Sequence, residues 1–276
     1  MERRKRSGKG GSAHARHALR TRFAGEIVCE FLPPAPRRNN GARTRRPDRN
    51  NVIILCGGMP GYPGGRIDLM NFLAGKGYWT FIPRFRGTWE SGGSFLARSP
   101  ERDVIDVIAG MPRGFKDLWS GASYRIARPA VAVIGSSFGG AAAILATRDP
   151  RVRRAVAFSP VTDWRAETKA EPLARLATFT REAFGDGYRG ATGATWKKLR
   201  SGTFYNPMHE AAAIDGSKLL VIHAKDDKIV SARTSAAFAR MTGAQLVLLP
   251  RGGHFSIART ADQKFWKEIA TFLRSK

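Results

Sequence analysis

Seven short apolar runs punctuate the chain, at 26–31, 52–56, 78–82, 130–134, 155–158, 219–223 and 246–249. Several are continuous rather than alternating, reading VIIL, VAVI, LLVI and LVLL. That is the pattern of parallel strands covered on both faces. Helical periodicity fills the gaps. Segments 66–76, 100–109, 138–148 and 231–241 each follow a run, and 261–273 closes the series with Phe265, Ile269, Phe272 and Leu273 near one face. Strands alternating with helices predict an α/β fold, a mostly parallel twisted sheet with helices on both faces. The alternation lapses over 161–206, which reads as one or two helices with loops, a small lid-like insertion.

Composition adds one abnormality. The 276 residues are 42% apolar, enough for a large core without disulfides, and the two cysteines, Cys29 and Cys56, cannot build a disulfide framework. The formal net charge, however, is +25, of which residues 1–50 supply +10. The opening MERRKRSGKGGSAHARHALRTR has too few apolar residues to offset its chain entropy and is expected as a basic mobile tail over 1–22, leaving 23–276 as the folded domain. A second basic stretch, 37–51, reads as a loop. Such arms are either solvated without a partner or make salt-dependent contacts with nucleic acid or anionic surfaces. No apolar segment follows Arg3–Arg6, which argues against a secretory signal and predicts a cytoplasmic protein. Residues 129–147 hold no charge, but their glycines and serines suit a strand–turn–helix better than a membrane span.

Within that stretch lies Gly135-Ser136-Ser137-Phe138-Gly139, a Gly-x-Ser-x-Gly segment after an apolar strand and before a small-residue helix. A strand that reverses into a helix within about two residues forces its central residue into a strained conformation, projecting the side chain above the sheet. Ser137 occupies that centre, as a candidate nucleophile, and Ser136 should point elsewhere. The N–H of Phe138, at the helix start, is placed to meet an oxyanion.

A nucleophilic serine needs a base and a group to orient it. In sheets of this kind the chain order is serine, acid, histidine. His14 and His17 precede Ser137, and His209 and His223 precede the acid, so His254 in PRGGHFS remains. The stretch LLVIHAKDDKIVS supplies the acid, Asp227 being preferred and Asp226 its competitor; His223 reads as a satisfied core histidine. No metal-binding spacing is present, and no metal or cofactor is expected.

These residues resemble the α/β-hydrolase superfamily, and within it the prolyl-oligopeptidase and dienelactone-hydrolase-like branch. The resemblance rests on GSSFGG (135–140), HAKDDKIV (223–230), GGHF (252–255), ILCGGMPGYPGG (54–65) and PRFRGTWESGGSF (83–95), which together span most of the chain. It implies an α/β-hydrolase fold and a serine hydrolase cleaving an ester, thioester or amide, with Ser137 as nucleophile, Asp227 as acid and His254 as base. The oxyanion donors would be the N–H groups of Phe138 and Met59, Gly57 standing where the family usually has His. Peptidases of that branch normally carry an N-terminal propeller, for which some 50 residues before Val52 leave no room, so a small acyl or short peptide substrate is expected. Arg84, Arg86, Trp89 and Glu90 are candidates for substrate contact. The rival reading is a catalytically idle hydrolase fold that binds nucleic acid or anionic membrane through its basic arms.

Overall fold

The computed structural model describes residues 16–36 and 50–275. Most of the expected tail and nearly all of the basic loop at 37–51 therefore lie outside the described residues. In chain order the strands are β1 (Leu19–Phe23), β2 (Ile27–Leu32), β3 (Asn51–Cys56), β4 (Trp79–Pro83), β5 (Phe115–Lys116), β6 (Ser123–Tyr124), β7 (Ala130–Ser136), β8 (Val152–Phe158), β9 (Leu219–Ala224) and β10 (Gln245–Leu249). The helices are α1 (Ile67–Gly75), α2 (Glu101–Gly110), α3 (Ser137–Ala146), α4 (Leu173–Phe184), α5 (Gly193–Arg200), α6 (Ala232–Thr242) and α7 (Gln263–Arg274).

Eight strands form one sheet in the order β1-β2-β4-β3-β7-β8-β9-β10, and β5 with β6 makes a separate hairpin. From β4 to β10 every pairing is parallel. At the other edge β2 runs antiparallel to both of its neighbours. Both faces are covered, which explains the uninterrupted apolar runs. Along β3, Val52, Ile54 and Cys56 enter the layer that holds Val104 and Val107 of α2 and Ile144 of α3. Ile53 and Leu55 enter the opposite layer, against Leu69 and Leu73 of α1 and Phe265 and Ile269 of α7.

Strand β1 lies inside the segment expected as tail. Its sequence LRTRF buries Thr21 and Phe23 and exposes Arg22, while Phe23 packs against the rings of Phe81 and Phe115. Two arginines in five residues hide this alternation, and their outward charges suit an edge strand that must not pair further. The stretch 161–206 contains α4 and α5 with a 3-10 turn between them. The uncharged stretch at 129–147 forms β7 and α3, and no helix among the described residues is long and apolar enough to cross a membrane.

Helix α3 sits so close to the sheet that two positions tolerate no side chain. A Cβ on Gly139 would stand 2.3 Å from the Cys56 carbonyl oxygen and 2.4 Å from that of Gly57, and one on Gly135 would stand 2.1 Å from the Gly139 oxygen. The obstacles are backbone atoms, which have no rotamer by which to yield. Gly139→Ala should therefore lower stability by about 3 kcal/mol, seen in thermal unfolding as a fall of roughly 10 °C in Tm. A Tm within about 2 °C of the wild type would show that α3 is free to back away from β3.

Candidate active site

Strand β7 ends at Ser136, whose backbone is extended, and α3 begins at the next residue. Ser137 makes the reversal with φ +53°, a conformation that costs a non-glycine residue roughly 1–3 kcal/mol. The turn is held from three sides. The Val161 N–H donates to the Ser137 carbonyl at 3.1 Å, the Tyr205 hydroxyl donates to the Phe138 carbonyl at 2.6 Å, and the buried Phe138 ring packs against Phe85, Phe95, Trp164 and Tyr205. Ser136 is 2% exposed and Ser137 half-buried, and both line one cavity. The first N–H groups of α3 have no intrahelical acceptor and face the same end of the sheet.

Beyond β9 the Asp227 carboxylate gathers two histidines. Its Oδ2 lies 2.8 Å from Nδ1 of His254 and 3.0 Å from Nε2 of His223, and its Oδ1 accepts the N–H groups of Ile229 and Val230 at 2.9 and 3.0 Å. Burial alone would push this carboxyl's pKa up; the bonds from His223 and His254 and the Val230 N–H outweigh it and hold it well below the usual carboxylate range. His223 is fully buried, and its Nε2 faces two acceptors, Asp227 and the Val230 carbonyl at 3.1 Å. Nε2 therefore carries the proton, and Nδ1 accepts from the Ser235 hydroxyl at 2.8 Å. The same logic puts the His254 proton on Nδ1 and leaves Nε2 as the basic nitrogen.

Asp226 does something different. Its Oδ1 accepts the N–H groups of both Gly252 and Gly253 at 2.9 Å, tying down the loop that presents His254. The sequence signal for that division of labour is the Asp-Asp pair, which does not reveal which member meets the imidazole. His223 is a satisfied core histidine, but one that also orients the acid, a link that no spacing in the sequence indicates.

Ser137, His254 and Met59 line one cavity of about 420 Å³, together with the 57–64 loop after β3. That loop passes directly beside the serine, for a Cβ on Gly58 would stand 3.2 Å from the Ser137 Cβ. It is tethered at Gly61. The Gly61 N–H donates to the Tyr188 hydroxyl at 2.8 Å, that hydroxyl donates to the Gly61 carbonyl at 3.2 Å, and Trp89 Nε1–H donates to the same carbonyl at 3.1 Å. Burial pushes the Tyr188 phenol up to about 12, so it keeps its proton at neutral pH. Tyr188 escapes sequence reading because nothing in GDGYRG marks a tyrosine that reaches back across 127 residues.

The other expected contact residues divide. Trp89 lines the cavity, but Arg86 and Glu90 are not among its lining residues. The Arg86 guanidinium pairs with Glu26, Asp103 and, at 2.8 Å, Asp106, while its backbone N–H donates to Asp103 Oδ2 at 2.7 Å. Three carboxylates leave that fork nothing for a substrate; it clamps the 84–96 loop to the β1–β2 turn and to α2. Glu90 pairs with Arg84 and, at 3.2 Å, Arg20. Arg84 does line the cavity but is bound to Glu30 at 2.7 Å. Among the described residues no group of three or more His, Cys, Asp or Glu side chains is gathered for a metal ion.

A doubly covered parallel sheet that presents a strained serine, and after it an Asp–His pair, at one end defines the α/β-hydrolase class. The chain belongs to the alpha/beta hydrolase family, whose model matches residues 53–265. No curated protein matches it in sequence. Solved structures share the fold at low identity. An esterase of Pyrococcus furiosus is 17% identical with a TM-score of 0.60, over 94% of this chain and 89% of that one. A serine hydrolase without a lid from Xanthomonas campestris is 15% identical with a TM-score of 0.56, over 94% and 96%. The acylaminoacyl peptidase of Pyrococcus horikoshii is 17% identical with a TM-score of 0.58, over 92% of this chain but only 40% of its own.

The depressed Asp227 carboxyl carries a pH signature. Its contribution to stability is complete above the ordinary aspartate pKa of about 3.9 and is lost as pH falls through the lower folded value. Asp227→Asn should cost about 2–3 kcal/mol near neutral pH, and the gap to wild type in urea unfolding should narrow from about pH 5 toward pH 3. A gap independent of pH would mean that the carboxylate charge is not what those hydrogen bonds hold.

Proposed function

We propose that the chain is a serine hydrolase acting on carboxylic esters, thioesters or amides of small substrates. The observation that carries this reading is the 2.8 Å bond from His254 Nδ1 to Asp227 in a cavity shared with Ser137. In this reading the free Nε2 of the imidazole is the acceptor of the Ser137 hydroxyl proton. Ser137 Oγ then bonds to the acyl carbon, and the carbonyl π electrons move onto oxygen, which the N–H groups of Phe138 and Met59 receive. Collapse of this tetrahedral species breaks the bond to the leaving oxygen, sulfur or nitrogen, which takes the proton from His254. Water then attacks the acyl-enzyme with His254 again as base, releasing the acid and restoring the serine.

The cavity lining favours an esterase-like over a peptidase-like substrate. The cavity wall includes the aromatic side chains of Trp89, Phe179 and Tyr188 and the glycines of the 57–64 loop around an acyl-sized space. The α4 segment, through Glu171, Phe179 and Tyr188, serves in this reading as a wall of the cavity, and the enzyme is taken as cytoplasmic. The basic arms, lying outside the described residues, add localisation at anionic surfaces rather than chemistry.

Turnover of p-nitrophenyl acetate and butyrate tests the assignment. Ser137→Ala and His254→Ala should each lower kcat/KM by about a thousandfold or more with unchanged circular dichroism. Full turnover by Ser137→Ala would remove the serine from the mechanism.

A further inference from the structure

Four charged side chains other than His254 line the cavity: Glu30, Arg66, Arg84 and Glu171. Glu30 and Arg84 neutralise each other at 2.7 Å. Glu171 is different. Its backbone N–H is held by the Thr168 hydroxyl at 3.3 Å, but its half-buried carboxylate has no hydrogen-bond or ion-pair partner among the described residues. Burial pushes the carboxyl's pKa up, and the charged groups it senses are His254, Asp227 and Arg175, which places it on the His254 side of the cavity. Arg66 lies at the far end of the 57–64 loop, where α1 begins, and is not among those neighbours.

The cavity that holds this carboxylate also carries exposed aromatic rings. Tyr62, Trp89, Phe179 and Tyr188 line the same cavity, and Tyr62 and Phe179 stand 74% and 51% exposed, an unusual exposure for large rings unless something covers them. Tyr62 packs on Trp89 at 5.6 Å, and Tyr188 on Trp89 at 6.2 Å, so these rings form one surface. A half-buried carboxylate with no ion-pair or hydrogen-bond partner among the described residues, sharing a cavity with electron-rich rings, is the chemistry that receives an ammonium group. The carboxylate supplies the countercharge, and the rings supply cation–π attraction and exclude water.

We propose that Glu171 and the aromatic wall select substrates that carry a cationic amine or quaternary ammonium group. This rests on the hydrolase reading of the same cavity and names its substrate class. The overall positive charge does not oppose it at short range, because charges beyond about 8 Å are largely screened at physiological ionic strength. Glu171 meets the ligand inside the cavity.

Equilibrium binding to the full-length Ser137→Ala protein tests the selection without requiring turnover. The probes are butyrylcholine, its neutral isostere 3,3-dimethylbutyl butyrate, and a carboxylate-bearing butyrate ester of similar length. The choline ester should bind about tenfold tighter than the neutral isostere, and Glu171→Gln in the same background should bring that ratio close to one. Equal affinities for the charged and neutral probes overturn the proposal. So do absence of binding by both, tighter binding of the carboxylate probe through Arg66, or a ratio that survives Glu171→Gln. Turnover of p-nitrophenyl butyrate by the wild type decides the hydrolase reading separately. A working esterase without cation selectivity sinks only the ammonium site, whereas cation selectivity in a protein that hydrolyses no ester sinks only the hydrolase reading.

Discussion

The backbone-to-backbone approach of α3 to β3 and β7 is the constraint on which the site depends. With Gly139 almost touching the Cys56 and Gly57 carbonyls and Gly135 touching Gly139, the chain turns from strand to helix in a single step. That step holds Ser137 at positive φ, lifts its hydroxyl to the end of the sheet and leaves the first N–H groups of α3 without partners. It also brings the 57–64 loop alongside the serine, because the same carbonyls that bar a side chain at Gly139 lead directly into Gly58. The strain of the turn is offset by burial, chiefly of Phe138 among four aromatic rings.

A second arrangement converges on the first from the other half of the sheet. Asp227 distributes its lone pairs over His254, His223 and two backbone N–H groups, so the carboxylate has little freedom to rotate away from the imidazole. His223 is anchored in turn through Ser235 at the start of α6. The neighbouring Asp226 fixes the glycine pair before His254. Two adjacent aspartates thus perform separate tasks, one orienting the imidazole and the other the loop that carries it. Buried hydrogen-bonded networks that are fully satisfied in this way hold a single geometry.

Much of this was legible in the chain. The continuous apolar runs announce strands covered on both faces, and each of the seven runs overlaps a strand of the main sheet. The alternation of runs with helices leads to the hydrolase class that the family match establishes. Legibility ends where chemistry depends on distant partners. Strand β1 is hidden by Arg20 and Arg22, whose charges mimic tail composition until their outward direction is known. Arg86 looks suited to a substrate carboxylate, yet Glu26, Asp103 and Asp106, drawn from elements far apart in sequence, claim its guanidinium. Tyr188 and Glu171 lie in the stretch without periodicity, and only the folding of α4 beside the 57–64 loop brings them to the cavity.

The central claim is that Ser137 is an activated nucleophile. Reaction of the full chain with a fluorophosphonate, followed by peptide mapping by mass spectrometry, tests it most directly. The expected result is one adduct, on Ser137, which disappears in His254→Ala. An adduct on Ser136 or another serine instead, or none from a protein shown to be folded, would contradict it.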